Sequence, residues 1–505
     1  MKIAVVGSGV SGLAATWALN EHSPHEVHLY EVEDRAGGHA NTISYIPPGK
    51  SDKDAVDVDT GFIVFNPTTY PNFLRFLQRI PTIRILQTEM TFSVCRDSGL
   101  FEWAGKNVAT LFCQPSRLLD PDMWRLVYDV LRFNACARRL VSSKAASDDS
   151  DLSIGDYLDR EGYSASFRDN YLIPMTAAIW STPPDKCLMN FPARTLVQFM
   201  SNHHLLQVTG KPSWLTIEGG SRKYVDAILS QLPKERLHLS SPVTAICRTT
   251  QGGRNTILLK TRNEDAVTLY DRVILACHSD ACTAILKGGR DLRDDEEDIL
   301  KSFTWNKNVA VLHSDINLMP KARTAWSCWN YLTFSSLNDR GGHKANINKV
   351  ALTYYMNELQ HLPEDLHGPV LVTLNPPTDP DVTKTAARFA YDHPILDTKA
   401  IIAQKAMPNI QGRGGVLFAG AWLGYGFHED GFTSGLRAVT EHIDGVQLPF
   451  EIAGADREPR AVFIAPFFDF LEVTGIRAIV GTALKLVLLL VKFIVHSYQE
   501  LCHIQ

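Results

Sequence analysis

Six residues near the start of the chain, Gly7-Ser8-Gly9-Val10-Ser11-Gly12, hold three glycines at a spacing suited to gripping a pyrophosphate. Gly7 permits a tight turn, Gly9 lets backbone approach a phosphate with no side chain between, and Gly12 lets a helix press onto the preceding strand. The N–H groups of Val10 and Ser11 open that helix without intrahelical acceptors and carry its positive dipole end toward the anion. Glu31 stands 19 residues beyond Gly12, where a carboxylate accepts hydrogen bonds from ribose hydroxyls. Glu31, Arg35, Gly37 and Gly38 then form an ExxxRxGG, followed by His39. The glycine pair lets backbone run close to a cofactor, and Arg35 screens phosphate or fixes the loop. This chemistry is dinucleotide binding, and the first motif alone does not separate FAD from NAD.

Such residues need a strand before them, a helix behind Gly12 and a second strand ending at Glu31. Residues 2–6 are a β-branched run suited to a buried parallel strand, Ser11 to Asn20 read as the helix, and Val27 to Glu31 as the second strand. Further strands are expected at Leu237 to Arg248, Thr256 to Thr261 and Arg272 to Ala276, with a last strand-turn-helix from Gly415. At 505 residues the chain exceeds one core, since single cores stop growing near roughly 250–300 residues. The expected fold is α/β: a Rossmann-type cofactor domain, a parallel sheet with helices, interleaved with an α+β substrate domain. Residues 1–90, 211–300 and 401–450 are assigned to the cofactor domain, 91–210 and 301–400 to the substrate domain, and 455–505 to a tail. Ser142 to Asp151 reads as a solvated acidic loop and Asp339 to His343 as a Gly-rich turn.

Composition removes several classes of function. With 45% hydrophobic and 21% charged residues and a net charge of -5, the chain is ordinary globular material. It has no basic excess of the kind a nucleic-acid partner requires. Nine cysteines, odd in number, scattered and without a CxxC pair, read as reduced thiols in a reducing compartment. The regular spacing of Gly7, Gly9 and Gly12 argues against a cleaved secretory signal, so the expected location is cytoplasmic. Adjacent His203 and His204 point apart on any regular element and have no partner at ligand spacing, so no metal is expected. A hydrolase reading fails for want of a GxSxG or other activated nucleophile.

The ExxxRxGG extension is similar to that of the flavin amine oxidase superfamily, which includes monoamine oxidases, protoporphyrinogen oxidases and phytoene-type desaturases. Asp59-Thr60-Gly61-Phe62 resembles its acidic-glycine segment beside the flavin ring, and Glu218-Gly219-Gly220-Ser221-Arg222 its Gly-Gly entry to a helix. Val243 resembles a position in the strand whose backbone touches adenine. Val416 to Gly420, then Gly431 to Gly435, resemble the closing FAG and SG-helix elements, where Gly420, Ala421, Gly431 and Ser434 would meet ribityl and pyrophosphate. The resemblance implies that the cofactor domain binds FAD. It departs at Ala421, where relatives often keep an acidic or hydroxyl residue. No cysteine lies between Asp397 and Gly435, where monoamine oxidases attach the flavin, so FAD is expected to be held noncovalently.

Three blocks, Ile173 to Pro183, Asn202 to Leu206 and Gly424 to Gly431, resemble a narrower group described as NAD/FAD-binding proteins. Members often accompany cyclopropane or methyl fatty-acid synthases. Alignment to the closing helix puts Phe427 at an aromatic cage position on the flavin face. Lacking a hydroxyl, it suits an apolar substrate better than an amine. His428 and Glu429 could relay a proton, or cap the helix near Gly431, or bond the cofactor. The resemblance thus implies an FAD-dependent oxidoreductase removing a hydride from a fatty-acyl or other lipid-like substrate. A double-bond isomerase of unsaturated fatty acids and a noncatalytic lipid-binding flavoprotein are the competing readings. Aromatic residues at Trp326 to Tyr331 and Thr353 to Asn357 either line the substrate pocket or are plain core.

From Gly475 to Tyr498 the chain is almost wholly apolar, its cations Arg477, Lys485 and Lys492 falling on one narrow helical stripe. Charge-free runs here are far shorter than the roughly 20 residues a spanning helix needs. Residues 475–498 are therefore read as an interfacial helix seating the protein on a membrane surface, with a core or dimer helix and a spanning helix as the other readings.

Overall fold

The computed structural model describes residues 1–141, 152–180, 191–207, 212–251, 254–262, 266–337, 343–345, 350–454 and 463–503. The Ser142 to Asp151 loop, most of the Asp339 to His343 turn, the end of the Ile173 to Pro183 block and Cys187 lie outside them.

The first strand, Lys2–Val6, buries Ile3, Ala4 and Val5 completely, as a β-branched run between two helical layers should. It leads through the glycine turn into helix Val10–His22, and the chain returns as strand Glu26–Tyr30 in parallel register, Lys2 opposite Glu26. Three later strands join this pair. In spatial order the parallel sheet reads Val416–Phe418, Arg272–Leu275, Lys2–Val6, Glu26–Tyr30, Leu237–His238. The expected strand from Leu237 to Arg248 is therefore two: Leu237–His238 ends this sheet, and Val243–Gln251 pairs with Arg254–Thr261, which pairs in turn with Thr268–Tyr270, in an antiparallel layer.

Helix His428–Thr440 lies on helix Val10–His22 with almost no space between their backbones. A Cβ at Gly435 would lie 2.1 Å from the Ser11 carbonyl oxygen, and one at Gly431 would lie 2.6 Å from Val10 Cγ1. Those two glycines let the C-terminal segment close over the N-terminal one.

A seven-stranded mixed sheet forms the other half. Its order is Thr385–Ile395, Thr304–His313, Leu371–Leu374, Ala351–Tyr355, Trp329–Thr333, Phe92–Arg96, Phe101–Ala104, with only Trp329–Thr333 and Phe92–Arg96 running parallel. Helices Pro121–Cys136, Ile154–Arg160 and Ala193–Asn202 share its core, in which Phe133, Phe167, Leu196, Leu312, Leu352 and Val372 are fully buried. Each such side chain contributes about 1.5–3 kcal/mol on leaving water.

Helix Ala465–Val473 docks on Pro121–Cys136: Ala465 and Phe468 pack against Ala135 and Tyr128. Arg139 grips Asp469 at 2.8 and 2.7 Å, and Tyr128 donates to Glu472 at 2.8 Å. The chain turns at Gly475, φ +70°, and leaves as helix Ile476–His503, the two axes meeting at 77°. Ile479, Val480, Leu486, Val487, Leu490, Phe493 and Ile494 are exposed along it. No single helix among the described residues is long and apolar enough to cross a membrane, though the bent pair together reaches that length and composition.

Candidate active site

The glycine turn is built as its spacing requires, with one change in where the strain sits. Gly7 has φ +101°, and a Cβ there would lie 2.8 Å from the Ala276 carbonyl oxygen. At Gly12 a Cβ would fall 1.8 Å from the Gly7 carbonyl oxygen. Gly9 is different: its backbone is extended, φ -64° and ψ 177°, and a Cβ would meet nothing within 4 Å. Open space at the mouth of a helix, bounded by N–H groups, is what an anion needs.

The second glycine pair arrives against this mouth. Gly37 and Gly38 have φ of +117° and +56°, and a Cβ on Gly38 would lie 3.1 Å from Gly9 Cα. The Gly37 N–H donates to the Ser8 carbonyl at 3.0 Å, and Arg35 donates to the Gly38 carbonyl at 3.0 Å while pairing with Glu33 at 3.1 Å. Arg35 therefore fixes the loop. Glu31 Oε2 accepts from both the N–H and the hydroxyl of Ser8, at 2.8 and 2.5 Å, and Oε1 accepts from the Glu33 N–H at 3.0 Å. A carboxylate has lone pairs left for sugar hydroxyls after those bonds.

Further blocks converge on this cradle. A Cβ at Gly61 would strike the His39 carbonyl oxygen at 2.4 Å, and the Phe62 N–H donates to that carbonyl at 2.8 Å. The Asp59 carboxylate accepts from the N–H and hydroxyl of Ser221 and the hydroxyl of Thr42, which ties the Gly220 turn to the 59–62 segment. Burial pushes the Asp59 carboxyl up to about 6. Ser434 accepts the Gly420 N–H at 2.9 Å, and Ala421 faces Gly431. Val243 follows Ser241, whose N–H donates to the Glu31 carbonyl at 2.8 Å. Thr60 is turned inward, its hydroxyl on Tyr391 at 2.7 Å and the Asn41 carbonyl at 3.1 Å.

His39, expected at the cofactor from its place after the glycine pair, belongs to a polar group whose other members nothing in the sequence pattern marks. Its ring stacks on Tyr391 at 4.8 Å and meets His393 edge-on at 5.3 Å. The latter residues come from strand Thr385–Ile395 of the other sheet. His39 Nε2 is shielded from solvent and has no hydrogen-bond partner among the described residues. Burial, with His393 and His278 near, holds the His39 imidazole well below its ordinary range, and burial brings His393 to about 4. Both rings are neutral at physiological pH.

The three residues expected to do chemistry separate sharply. His428 stacks on Phe62 at 3.8 Å, its Nε2 pairs with the Tyr224 hydroxyl at 2.8 Å, and burial lowers it to about 3. Glu429 accepts the N–H groups of Asn72 and Phe73, both at 2.9 Å, and so caps helix Pro71–Leu77. Of the readings open for this pair, the bonds of Glu429 are those of a cap, and the helix it caps is Pro71–Leu77 and not the one near Gly431. Glu429 keeps an unusual carboxyl, pushed to about 7 by burial.

Phe427 alone faces the substrate-side unit. It stacks with Phe199 at 5.2 Å and lies 5.2 Å from His203, while Tyr425 and Trp180 also pack on Phe199. Asp430, unnoticed in the sequence, accepts the N–H groups of Tyr425 and Phe427 at 3.1 and 2.9 Å and so sets this loop. An acidic residue three places into a helix is the signal that could have found it. Of the other aromatic segments, Tyr331, Thr353 and Met356 are core, whereas Trp329 and Tyr354 pair at partly buried positions. No group of three metal-ligating side chains occurs among the described residues.

Residues 10–305 match the model of the flavin containing amine oxidoreductase family. The chain belongs to that family. No curated protein sequence matches it. Among solved structures, a double mutant of putrescine oxidase is 15% identical with a TM-score of 0.57, over 88% of this chain and 98% of that one. The CLA-producing fatty acid isomerase from P. acnes is 14% identical with a TM-score of 0.56, over 87% and 98%. Cyclohexylamine oxidase from Brevibacterium oxydans IH-35A is 14% identical with a TM-score of 0.55, over 86% and 97%. At such identities the likeness is one of fold. Family membership makes the chain a flavin-dependent oxidoreductase, and the cradle fits that cofactor: Gly9 opens on free space and the shielded His39 Nε2 lacks a partner.

Proposed function

We propose that this oxidoreductase binds FAD noncovalently and removes a hydride from an apolar, fatty-acyl or similarly lipid-like substrate, working at a membrane surface on the cytoplasmic side. FAD is favoured over a mononucleotide because the Gly7 to Gly12 turn and Glu31 address a pyrophosphate and a second ribose. When bound, the flavin supplies a hydride acceptor. The chain supplies the rest. Backbone at Gly9, Val10 and Ser11 takes the pyrophosphate charge, Glu31 orients the ribose, and Gly37, Gly38 and Gly61 keep side chains out of the way. The unpartnered His39 nitrogen is placed to hold a polar edge of the cofactor, and Tyr391 and His393 hold its ring.

One observation carries the choice of substrate: among the described residues, the side chains that pack around Phe427 are uncharged. Phe427, Phe199, Tyr425 and Trp180 are aromatic, and burial brings the His203 imidazole to about 4, so it is neutral too. The nearby Asp430 carboxylate is taken up by the Tyr425 and Phe427 N–H groups, so an ammonium group would gain little from these side chains, whereas an acyl chain loses nothing. The exposed apolar helix beyond Gly475 would seat the enzyme on the bilayer that holds such a chain. A fold shared with a fatty acid isomerase as well as with amine oxidases keeps double-bond migration as the second reading. Organic extraction of the purified full-length protein and mass spectrometry of the extract test the proposal. An acyl lipid enriched over a mock purification is expected, and lost in Phe427→Asp. A water-soluble amine in its place would overturn it.

A further inference from the structure

Cys277 and Cys282, read from the sequence as unrelated thiols, lie together in the folded chain with their sulfurs 3.6 Å apart. Cys277 follows the strand Arg272–Leu275, and Cys282 lies in the first turn of helix Ser279–Gly288, where its N–H donates to the His278 carbonyl at 2.9 Å. The strand end thus feeds directly into the helix and folds one sulfur back over the other. Cys277 is partly exposed and Cys282 fully buried. The surroundings are held firmly. Trp422 donates to the Cys277 carbonyl at 3.1 Å, and the strand end at Ala276 and Cys277 is the backbone against which the Gly7 turn rests.

The geometry points to a modification site: we propose that Cys277 and Cys282 form a reversible dithiol couple that consumes a hydroperoxide beside the flavin cradle. The accessible Cys277 attacks the O–O bond as its thiolate, yielding Cys277 sulfenic acid and an alcohol, or water from hydrogen peroxide. Cys282 then attacks that sulfur, the S–S bond forms and water leaves. Two thiols and one hydroperoxide give one disulfide, one alcohol and one water, with two electrons passing from sulfur to oxygen. Closing the sulfurs by about 1.5 Å reaches the bond length of about 2.05 Å. Burial holds the Cys282 thiol well above its ordinary range, so the accessible Cys277 and not Cys282 is the thiol that meets the hydroperoxide first. The couple spares Cys277 from irreversible oxidation to sulfinic acid.

Trypsin cleaves after Arg272 and Lys287, so both cysteines fall in one peptide, residues 273–287. The full-length flavoprotein is treated with hydrogen peroxide, quenched with an alkylating agent under denaturing conditions, digested and weighed. A peptide lighter by two hydrogen atoms, resistant to alkylation and restored by a thiol reductant, is expected. In Cys282→Ser, Cys277 should be captured by a sulfenic-acid trap and, without the trap, gain oxygen that a reductant does not remove. The proposal is overturned if the wild-type peptide keeps two alkylatable thiols, if Cys277 gains oxygen while Cys282 stays reduced, or if either sulfur bridges elsewhere. The wild-type result decides the matter even if the variant folds poorly.

Discussion

Replacing Gly9 separates cofactor binding from folding. Its backbone is extended, φ -64° and ψ 177°, a conformation open to any residue, so a branched side chain adds no backbone strain at this turn. A Cβ there meets no protein atom within 4 Å, so Gly9→Val costs the empty fold about 1 kcal/mol at most. The added carbons project instead into the space left for the pyrophosphate. Losing the close approach of backbone to phosphate should weaken flavin binding at least about a hundredfold, or about 2.7 kcal/mol. Gly12→Ala makes the contrast, because its Cβ would fall 1.8 Å from the Gly7 carbonyl oxygen and the strand-helix packing itself must give. Each purified variant is assayed by flavin-to-protein ratio from the visible band and by thermal melting after flavin removal. Gly9→Val should be colourless yet melt near the wild-type apoprotein, and Gly12→Ala should melt well below it. Stoichiometric flavin in Gly9→Val would refute the assignment of this cradle.

Other outcomes follow from the same structure. The Glu429 carboxyl is raised to about 7 from 4.5, so between those values the native state keeps a proton the unfolded chain has lost. Stability from this group is full below about pH 4.5 and falls by on the order of 3 kcal/mol as pH rises from about 4.5 to about 7. Glu429→Gln should flatten that decline in a denaturant titration, whereas Glu429→Ala, which uncaps helix Pro71–Leu77, should lose about 1–2 kcal/mol at every pH. Acid or heat precipitation should leave FAD in the supernatant, and colour in the pellet would show a covalent bond. Deleting residues 478–505 spares the Arg477 to Glu472 pair and should keep flavin while abolishing flotation with anionic vesicles. Each buried apolar side chain contributes on the order of 1 kcal/mol there and each cation about the same. Equal flotation of both forms would show that the helix is not the anchor.

What could be read from the chain divides by the reach of the contact. The glycine turn, its strand and helix, and Glu31 are local, and each residue type there is forced by backbone geometry over a few positions. The loop at Gly37 and Gly38 was legible for the same reason. Which helix Glu429 caps was not legible because its partners, Asn72 and Phe73, lie more than 350 residues earlier, and no periodicity reports a cap supplied from so far away. His39 meeting Tyr391 and His393 is the same case across two sheets. The cysteine pair escaped because a five-residue spacing means nothing until a strand is known to end and a helix to begin between its members. In the tail, apolar character was plain, but docking of Ala465–Val473 onto Pro121–Cys136 through Asp469 and Glu472 depended on partners far upstream.

The central claim, that a flavin in this cradle takes a hydride from an acyl chain, is tested most directly by anaerobic mixing of the full-length flavoprotein with vesicles carrying its copurified lipid. Bleaching of the visible flavin band, at a rate that depends on lipid and collapses in Phe427→Asp, is the predicted result. An isomerised lipid with no lasting bleaching would replace oxidation by double-bond migration, and an unchanged flavin with unchanged lipid would contradict the account.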